Sequence, residues 1–215
     1  SYILGDSTST DQVAEPYASW GQMLSALMEP TVGVSNQGQS GESVAAANAA
    51  GRFTKIINQI KPGDVFITQF GHNDMKSTSP NAPTQYRDGL IAWAKAVQAK
   101  GATAVIVTPV NRHTFKNGKV EDSFNGYTEL AREAARTSGA KLIDLNLASK
   151  AMYEALGETG SLELFKHNPD GTARDATHHS NYGAYEIAKV IAQGLRDLDL
   201  PVGKMVRKDL PRYDP

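Results

Sequence analysis

Three stretches of this sequence carry side chains that could together perform acyl transfer. Gly5-Asp6-Ser7-Thr8 sets a carboxylate and a tract of hydroxyls directly after a short apolar run. Gly71-His72-Asn73-Asp74 follows a second such run, and Asp175-Ala176-Thr177-His178 lies shortly before the final helical pattern. Asp and His three residues apart in a tight turn can bring a carboxylate to the imidazole Nδ1, which leaves Nε2 free as a general base. The amide of Asn73 is a neutral donor suited to a developing oxyanion. In "NQGQSGES" at residues 36–43, Gly41 lets a backbone N–H approach a ligand closely. With Ser7 as the nucleophile, the set describes attack by Ser7, proton transfer to His178 and orientation of His178 by Asp175.

Each residue also has a plainer reading. A serine after a strand is common turn chemistry, and Asp6 can cap or bond its own loop. Asn73 can form an Asx-turn, Gly41 can serve a turn, and Asp175 can cap the segment that follows. His72 and Asp74 are expected to hold their loop, neither in an obvious pair. The tract Ser7-Thr8-Ser9-Thr10 could also cradle a phosphate on its N–H groups, as in a flavodoxin-like phosphate- or flavin-binding module.

These residues must be positioned by the elements around them. Short β-branched or apolar runs at 2–4, 31–36, 65–70, 104–110 and 141–145 read as strands. Helical spacing at 19–29, 43–60, 84–100, 124–138, 148–156 and 183–198 alternates with them. Trp20 and Trp93 fall on the apolar helical spacing and are expected in the core. Repeated β-α-β crossovers imply one three-layer α/β/α domain over 1–215, with a five-stranded parallel sheet. In such sheets ligands sit beyond the carboxyl ends of the strands, where strand order reverses. Residues 201–215 hold three prolines and no periodicity, and are expected as an extended surface tail.

Composition narrows the classes. The 22 Lys+Arg against 23 Asp+Glu leave no basic excess for a nucleic-acid partner. No apolar run approaches the length of a membrane span. Cysteine is absent, which removes thiol nucleophiles and thiolate zinc sites. The five histidines form no HExxH pair, so no metal site is expected. The chain starts at Ser1 directly before a core strand, so a processed or trimmed N-terminus is expected.

The four blocks "GDS", Gly41 in "SGES", "GHND" and "DATH" resemble, in order, those of the SGNH (GDSL-like) hydrolase superfamily. "GDST" with "DATHHSNYGAYEIAK" is similar to its rhamnogalacturonan acetylesterase branch; Thr8, where the eponymous motif has leucine, fits that branch. The resemblance covers roughly residues 2–198. It implies Ser7, Asp175 and His178 as catalytic residues, with Ser7, Gly41 and Asn73 forming the oxyanion hole. It further implies strand order 2-1-3-4-5, no cofactor, secretion, and an acetylated polysaccharide or oligosaccharide substrate. Rhamnogalacturonan is the main reading, with acetylxylan or broad carbohydrate acetylesterase activity as the alternative. Gly5 then permits the sharp turn out of the first strand, while Thr8, Ser9 and Thr10 bond the loop backbone and cap the next segment. By position on the active face, Arg112 and His113 could meet a uronate carboxylate. His179 either lines the mouth of the site or packs under its loop.

Overall fold

The computed structural model describes residues 1–13, 17–168, 170–172 and 174–210. β1 (Tyr2–Gly5), the apolar run that ends at the Asp6-Ser7 turn, is an inner strand of its sheet. β1 pairs in parallel with β2 (Ser35–Asn36) on one side and with β3 (Val65–Gln69) on the other. β4 (Thr103–Val107) lies beyond β3. A small antiparallel hairpin, β5 (Phe115–Lys116) and β6 (Lys119–Val120), stands outside the sheet. β7 (Lys141–Ile143) completes the sheet, whose order β2-β1-β3-β4-β7 is the expected 2-1-3-4-5 arrangement of the parallel strands.

Alternate residues along these strands face opposite layers, as the two-residue period of a strand requires. Ile3, Ile67, Val105 and Val107 pack against α1 (Trp20–Met23), α6 (Leu145–Gly160) and α7 (Asn181–Asp197). Leu4, Phe66, Ala104 and Ile106 face α2 (Val44–Ala49), α3 (Arg52–Ile57), α4 (Ala82–Ala99) and α5 (Tyr127–Ser138). Both tryptophans are core residues, and each indole N–H donates to a buried or half-buried amide oxygen, Trp20 to Gln69 and Trp93 to Asn48. Each fully buried Leu, Ile or Phe contributes about 1.5–3 kcal/mol, so these two layers dominate the stability of the sheet.

Several boundaries differ from the sequence pattern. The helix expected over 43–60 is two helices, because Gly51 takes a left-handed φ of 74° and ends α2 before α3 begins. The pattern at 19–29 divides into α1 and a 3-10 helix, Leu24–Leu27. The hairpin β5–β6 was not expected, although Asn117-Gly118 is the turn pair that favours one; both residues have positive φ. Within 201–215, expected as extended, Pro201–Met205 forms a 3-10 helix. Val206 is buried and bridges to Met28, because an apolar side chain there completes the layer against α7. Residues 211–215 lie outside the described residues.

Candidate active site

The two strands that carry Ser7 and Asn73 are neighbours in register, with Gly5 opposite Gln69. The turns after them therefore emerge at the same end of the sheet. Beyond β2 the ladder continues: Gln37 N–H donates to Ile3 O at 2.8 Å and Gln39 N–H to Gly5 O at 3.0 Å. That pairing delivers Gly41 to the same edge. Gly5 is required for close approach rather than for a special φ, since a Cβ there would sit 2.7 Å from the Gln69 carbonyl oxygen. Gly41 has φ 81° and open space around it, so the glycine serves the backbone conformation and leaves its N–H uncovered.

The loop with Asp175 and His178 is tied down from several sides. Asp175 N–H donates to Lys166 O at 2.8 Å, Lys166 N–H to His178 O at 2.9 Å, and His113 N–H to Ala176 O at 2.8 Å. Ser180 then caps α7 by accepting from Gly183 N–H. Within this frame Asp175 does two things. Its Oδ1 accepts from the backbone N–H of Thr177 at 2.7 Å and of His178 at 2.9 Å, which folds the turn. Its Oδ2 lies 2.9 Å from His178 Nδ1. The other ring nitrogen, Nε2, is 2.8 Å from Ser7 Oγ. Burial would raise the Asp175 pKa, but the hydrogen bonds from the His178 N–H and ring and from the Thr177 N–H outweigh it and hold it below its usual value. A hydroxyl, an imidazole and a carboxylate joined in this order can pass the serine proton to Nε2.

Three residues with donors line the space beside Ser7 Oγ: Ser7 itself, Gly41 and Asn73. Neither the Ser7 N–H nor the Gly41 N–H has a hydrogen-bond partner among the described residues. The Asn73 amide is clamped at both ends: Nδ2 donates to Glu42 O at 3.1 Å, and Oδ1 accepts from Lys76 Nζ at 3.1 Å. One Nδ2–H remains. Ser7, Gly41, Asn73 and His178 line a cavity of about 370 Å³, together with Gln12, Tyr17, Ser40 and Lys76. The last four were not singled out from the sequence. Lys76 sits three residues beyond Asn73, at the end of the short 3-10 helix Asp74–Lys76, a position that could have flagged it. Tyr17 stands edge-on to the His178 ring at 5.4 Å, and Lys166 Nζ lies 3.9 Å above the tyrosine ring. A larger cavity of about 660 Å³, lined in part by Leu142, Met152 and Val190, shares none of these residues.

The residues expected to touch substrate are elsewhere. Arg112 bridges loops: Nε donates to Thr177 Oγ1, Nη1 donates to Ser123, and the guanidinium lies over the Phe124 ring. His113 packs against Phe115 and Phe165 and bonds Glu158 O and Ser161. His179 is fully buried, stacked on Phe165 and 3.0 Å from the Tyr153 hydroxyl. That hydroxyl donates to Asn111 O, so it accepts from His179 Nε2–H. None of the three lines the cavity, because adjacent side chains on an anchored loop leave it in different directions and these three are used in packing.

Asp74 and His72 do hold the loop. Asp74 accepts from Val44 N–H and Gly71 N–H, and burial pushes its carboxyl up to about 7. His72, expected unpaired, instead faces Asp6 at 3.4 Å. The hydroxyl tract is turned inward. The Thr8 hydroxyl bonds the Asp6 carboxylate, that of Ser9 the Asp6 carbonyl and that of Thr10 the Gly38 carbonyl, so the tract does not cap α1; the N–H groups of Thr8, Ser9 and Thr10 are all donated to Asp6, so they form no phosphate cradle. Among the described residues, no group of three or more His, Asp or Glu is placed to hold a metal ion. No helix among them is long and apolar enough to cross a membrane.

Comparison with known proteins adds to this geometry. Residues 3–184 match the GDSL-like lipase/acylhydrolase family model. The chain is 34% identical over 212 residues to the rhamnogalacturonan acetylesterase RhgT of Bacillus subtilis, covering 94% of this chain and 91% of that protein. The crystal structure of YxiM from Bacillus subtilis superposes with a TM-score of 0.83 at 29% identity, over 94% of this chain but only 57% of that one. Axe2, an acetylxylan esterase from Geobacillus stearothermophilus, has a TM-score of 0.63 at 17% identity, over 90% of this chain and 92% of that one; at that identity the likeness is one of fold.

Proposed function

Since the chain belongs to the GDSL-like lipase/acylhydrolase family, and is thereby a carboxylic ester hydrolase, we propose that it removes O-acetyl groups from a plant cell-wall polysaccharide, rhamnogalacturonan in the first place, with Ser7 as nucleophile. The observation that carries this reading is the line from Ser7 Oγ to His178 Nε2 and from His178 Nδ1 to Asp175 Oδ2, at 2.8 and 2.9 Å. Ser7 Oγ attacks the acetyl carbonyl carbon and gives its proton to Nε2. Asp175 keeps the Nδ1 hydrogen in place and stabilises the imidazolium. The oxyanion takes hydrogen bonds from the Ser7 and Gly41 N–H groups and the remaining Asn73 Nδ2–H. The imidazolium then protonates the departing sugar oxygen. Water, deprotonated by His178, attacks the acetyl-serine; the bond to Ser7 Oγ breaks, His178 returns the proton to Oγ, and acetate leaves.

The substrate is supported by the relative named above and by the cavity itself. Its lining side chains carry hydrogen-bonding groups, Gln12, Ser40 and Asn73 among them, beside the rings of Tyr17 and His178. They suit a small acyl group on a hydrated sugar better than a long alkyl chain. Lys76 adds a cation with no carboxylate partner among the described residues, where a uronate can be met. A polymer of this kind is encountered outside the cell, and the reading includes secretion.

The test is acetate release from acetylated rhamnogalacturonan, acetylated homogalacturonan and acetylxylan, with p-nitrophenyl acetate and decanoate alongside. Rhamnogalacturonan is expected to be the best polymer, and acetate to be cleaved faster than decanoate. Faster decanoate cleavage refutes the acetylesterase assignment, whereas equal release from acetylxylan removes only the pectin preference.

Asn73→Ala is expected to lower kcat by roughly 10²–10³-fold with little change in KM, because its free N–H acts on charge that develops in the transition state. A rise in KM alone, measured with p-nitrophenyl acetate, assigns Asn73 to substrate binding instead.

A further inference from the structure

Under Ser7 and Asn73 lies a buried pair that acyl transfer does not use. Asp6 and His72 are 0% and 2% exposed. Each is the chain neighbour of a site residue, Asp6 of Ser7 and His72 of Asn73. Asp6 Oδ1 accepts from the Thr8 N–H at 2.9 Å and the Thr8 hydroxyl at 2.8 Å. Thr8 Oγ1 accepts in turn from the Gln69 amide, whose oxygen accepts from the Trp20 indole. On the other side, His72 Nε2 lies 3.1 Å from the Val110 carbonyl. A carbonyl only accepts, so Nε2 carries a hydrogen.

Two atoms remain, Asp6 Oδ2 and His72 Nδ1. Both are buried, neither has another partner, and they face each other at 3.4 Å. If Nδ1 carried only its lone pair, two acceptors would oppose each other away from water, at the cost of leaving both unsatisfied. We infer that His72 bears a hydrogen on Nδ1 as well, and that the Asp6–His72 ion pair is a positioning device locking the Ser7 turn to the Asn73 loop. The contact is longer than the ~2.7–2.9 Å of a charge-assisted hydrogen bond, so the ion pair draws together two loops rather than forming one tight bond. Burial would raise the Asp6 carboxyl, but the neighbouring His72 and the Thr8 bonds outweigh it and keep it below its usual range, which agrees with a carboxylate there. The inference rests on the acyl-transfer reading, because it is Ser7 and Asn73 that the pair aligns. Misplacement of reacting groups by about 1 Å can cost on the order of 10² in rate.

Two substitutions and one spectroscopic readout test it. Asp6→Asn keeps an oxygen for Thr8 and offers Nδ2–H to a neutral His72, so the loops stay joined. Asp6→Ala removes the join. With p-nitrophenyl acetate, Asp6→Ala is expected to lower kcat by about 10²-fold with KM within about twofold, and Asp6→Asn by less than about tenfold. In ¹⁵N NMR at neutral pH, both ring nitrogens of His72 should carry hydrogen in the wild type, and Nε2 alone in Asp6→Asn. If Asp6→Ala does not fold, the wild-type and Asp6→Asn spectra still decide. A wild-type Nδ1 without hydrogen, a wild-type kcat in Asp6→Ala, or Asp6→Asn as slow as Asp6→Ala overturns the inference. The ring-nitrogen readout does not depend on Ser7 being the nucleophile, so failure of the acyl-transfer reading and failure of this pair register in different measurements.

Discussion

Ser7→Ala is expected to lose p-nitrophenyl acetate hydrolysis by about 10⁴-fold or more, with its thermal unfolding midpoint nearly unchanged. The side chain contributes one atom to the site, and among the described residues that atom's only hydrogen bond is to His178 Nε2. The turn itself is held by groups the substitution leaves alone. Ser9 and Thr10 N–H donate to the Asp6 carbonyl, and Gln12 donates to the Ser7 carbonyl. Ser7 is only partly buried, so no large cavity opens. Removing Oγ therefore removes the bond-forming atom and little else. Retention of most of the activity by a folded Ser7→Ala would falsify the serine mechanism.

The tandem histidines should separate cleanly. His178→Ala is expected to be nearly inactive, by about 10⁴-fold, and stable. Its ring is partly exposed and serves the Ser7–Asp175 line. Asp175→Asn should fall between wild type and His178→Ala, since it favours the wrong tautomer without removing the base. His179→Ala should behave in the opposite way, keeping kcat within about tenfold while losing about 2–5 kcal/mol of stability. That substitution empties a fully buried site, removes the stack on Phe165 and leaves the Tyr153 hydroxyl without its donor.

A pH signature accompanies the loss of His179. Burial, reinforced by the positive forms of His72 and His178, pushes its pKa down from 6.5 to about 3. The unfolded chain takes up this proton near 6.5 and the native state not until about 3. Stability from this residue is thus whole above about pH 6.5 and is lost progressively as pH falls toward 3. Denaturant midpoints measured between pH 7 and 4 should fall less steeply in His179→Ala than in the wild type. Finding His179→Ala inactive at a temperature where it is folded, with His178→Ala active, would move the base by one residue.

Much of this was legible before any coordinates. Strand and helix periods are local, so β1, β3, β4 and the long helices α4, α5 and α7 follow from side chains a few residues apart. The pairing of Asp175 with His178 is also local, a turn closed within four residues, and Ser180 marks the helix start just beyond. What local patterns do not contain is the direction a side chain takes once a loop is anchored from afar. His178 points at Ser7 and His179 into the core because the loop is bonded to Lys166, Ala18 and Leu164, none of which the motif includes. Arg112 lies on the active face by topology, yet its donors are taken by Thr177 and Ser123, contacts across 65 and 11 residues of chain. The same holds for Lys76 and Tyr17, whose place in the cavity wall depends on the loops packed around them. By itself the sequence determined the order of elements and the chemical types gathered at the strand ends. Only the tertiary structure decided which of those groups meet, because that depends on packing and hydrogen bonds between residues far apart in the chain.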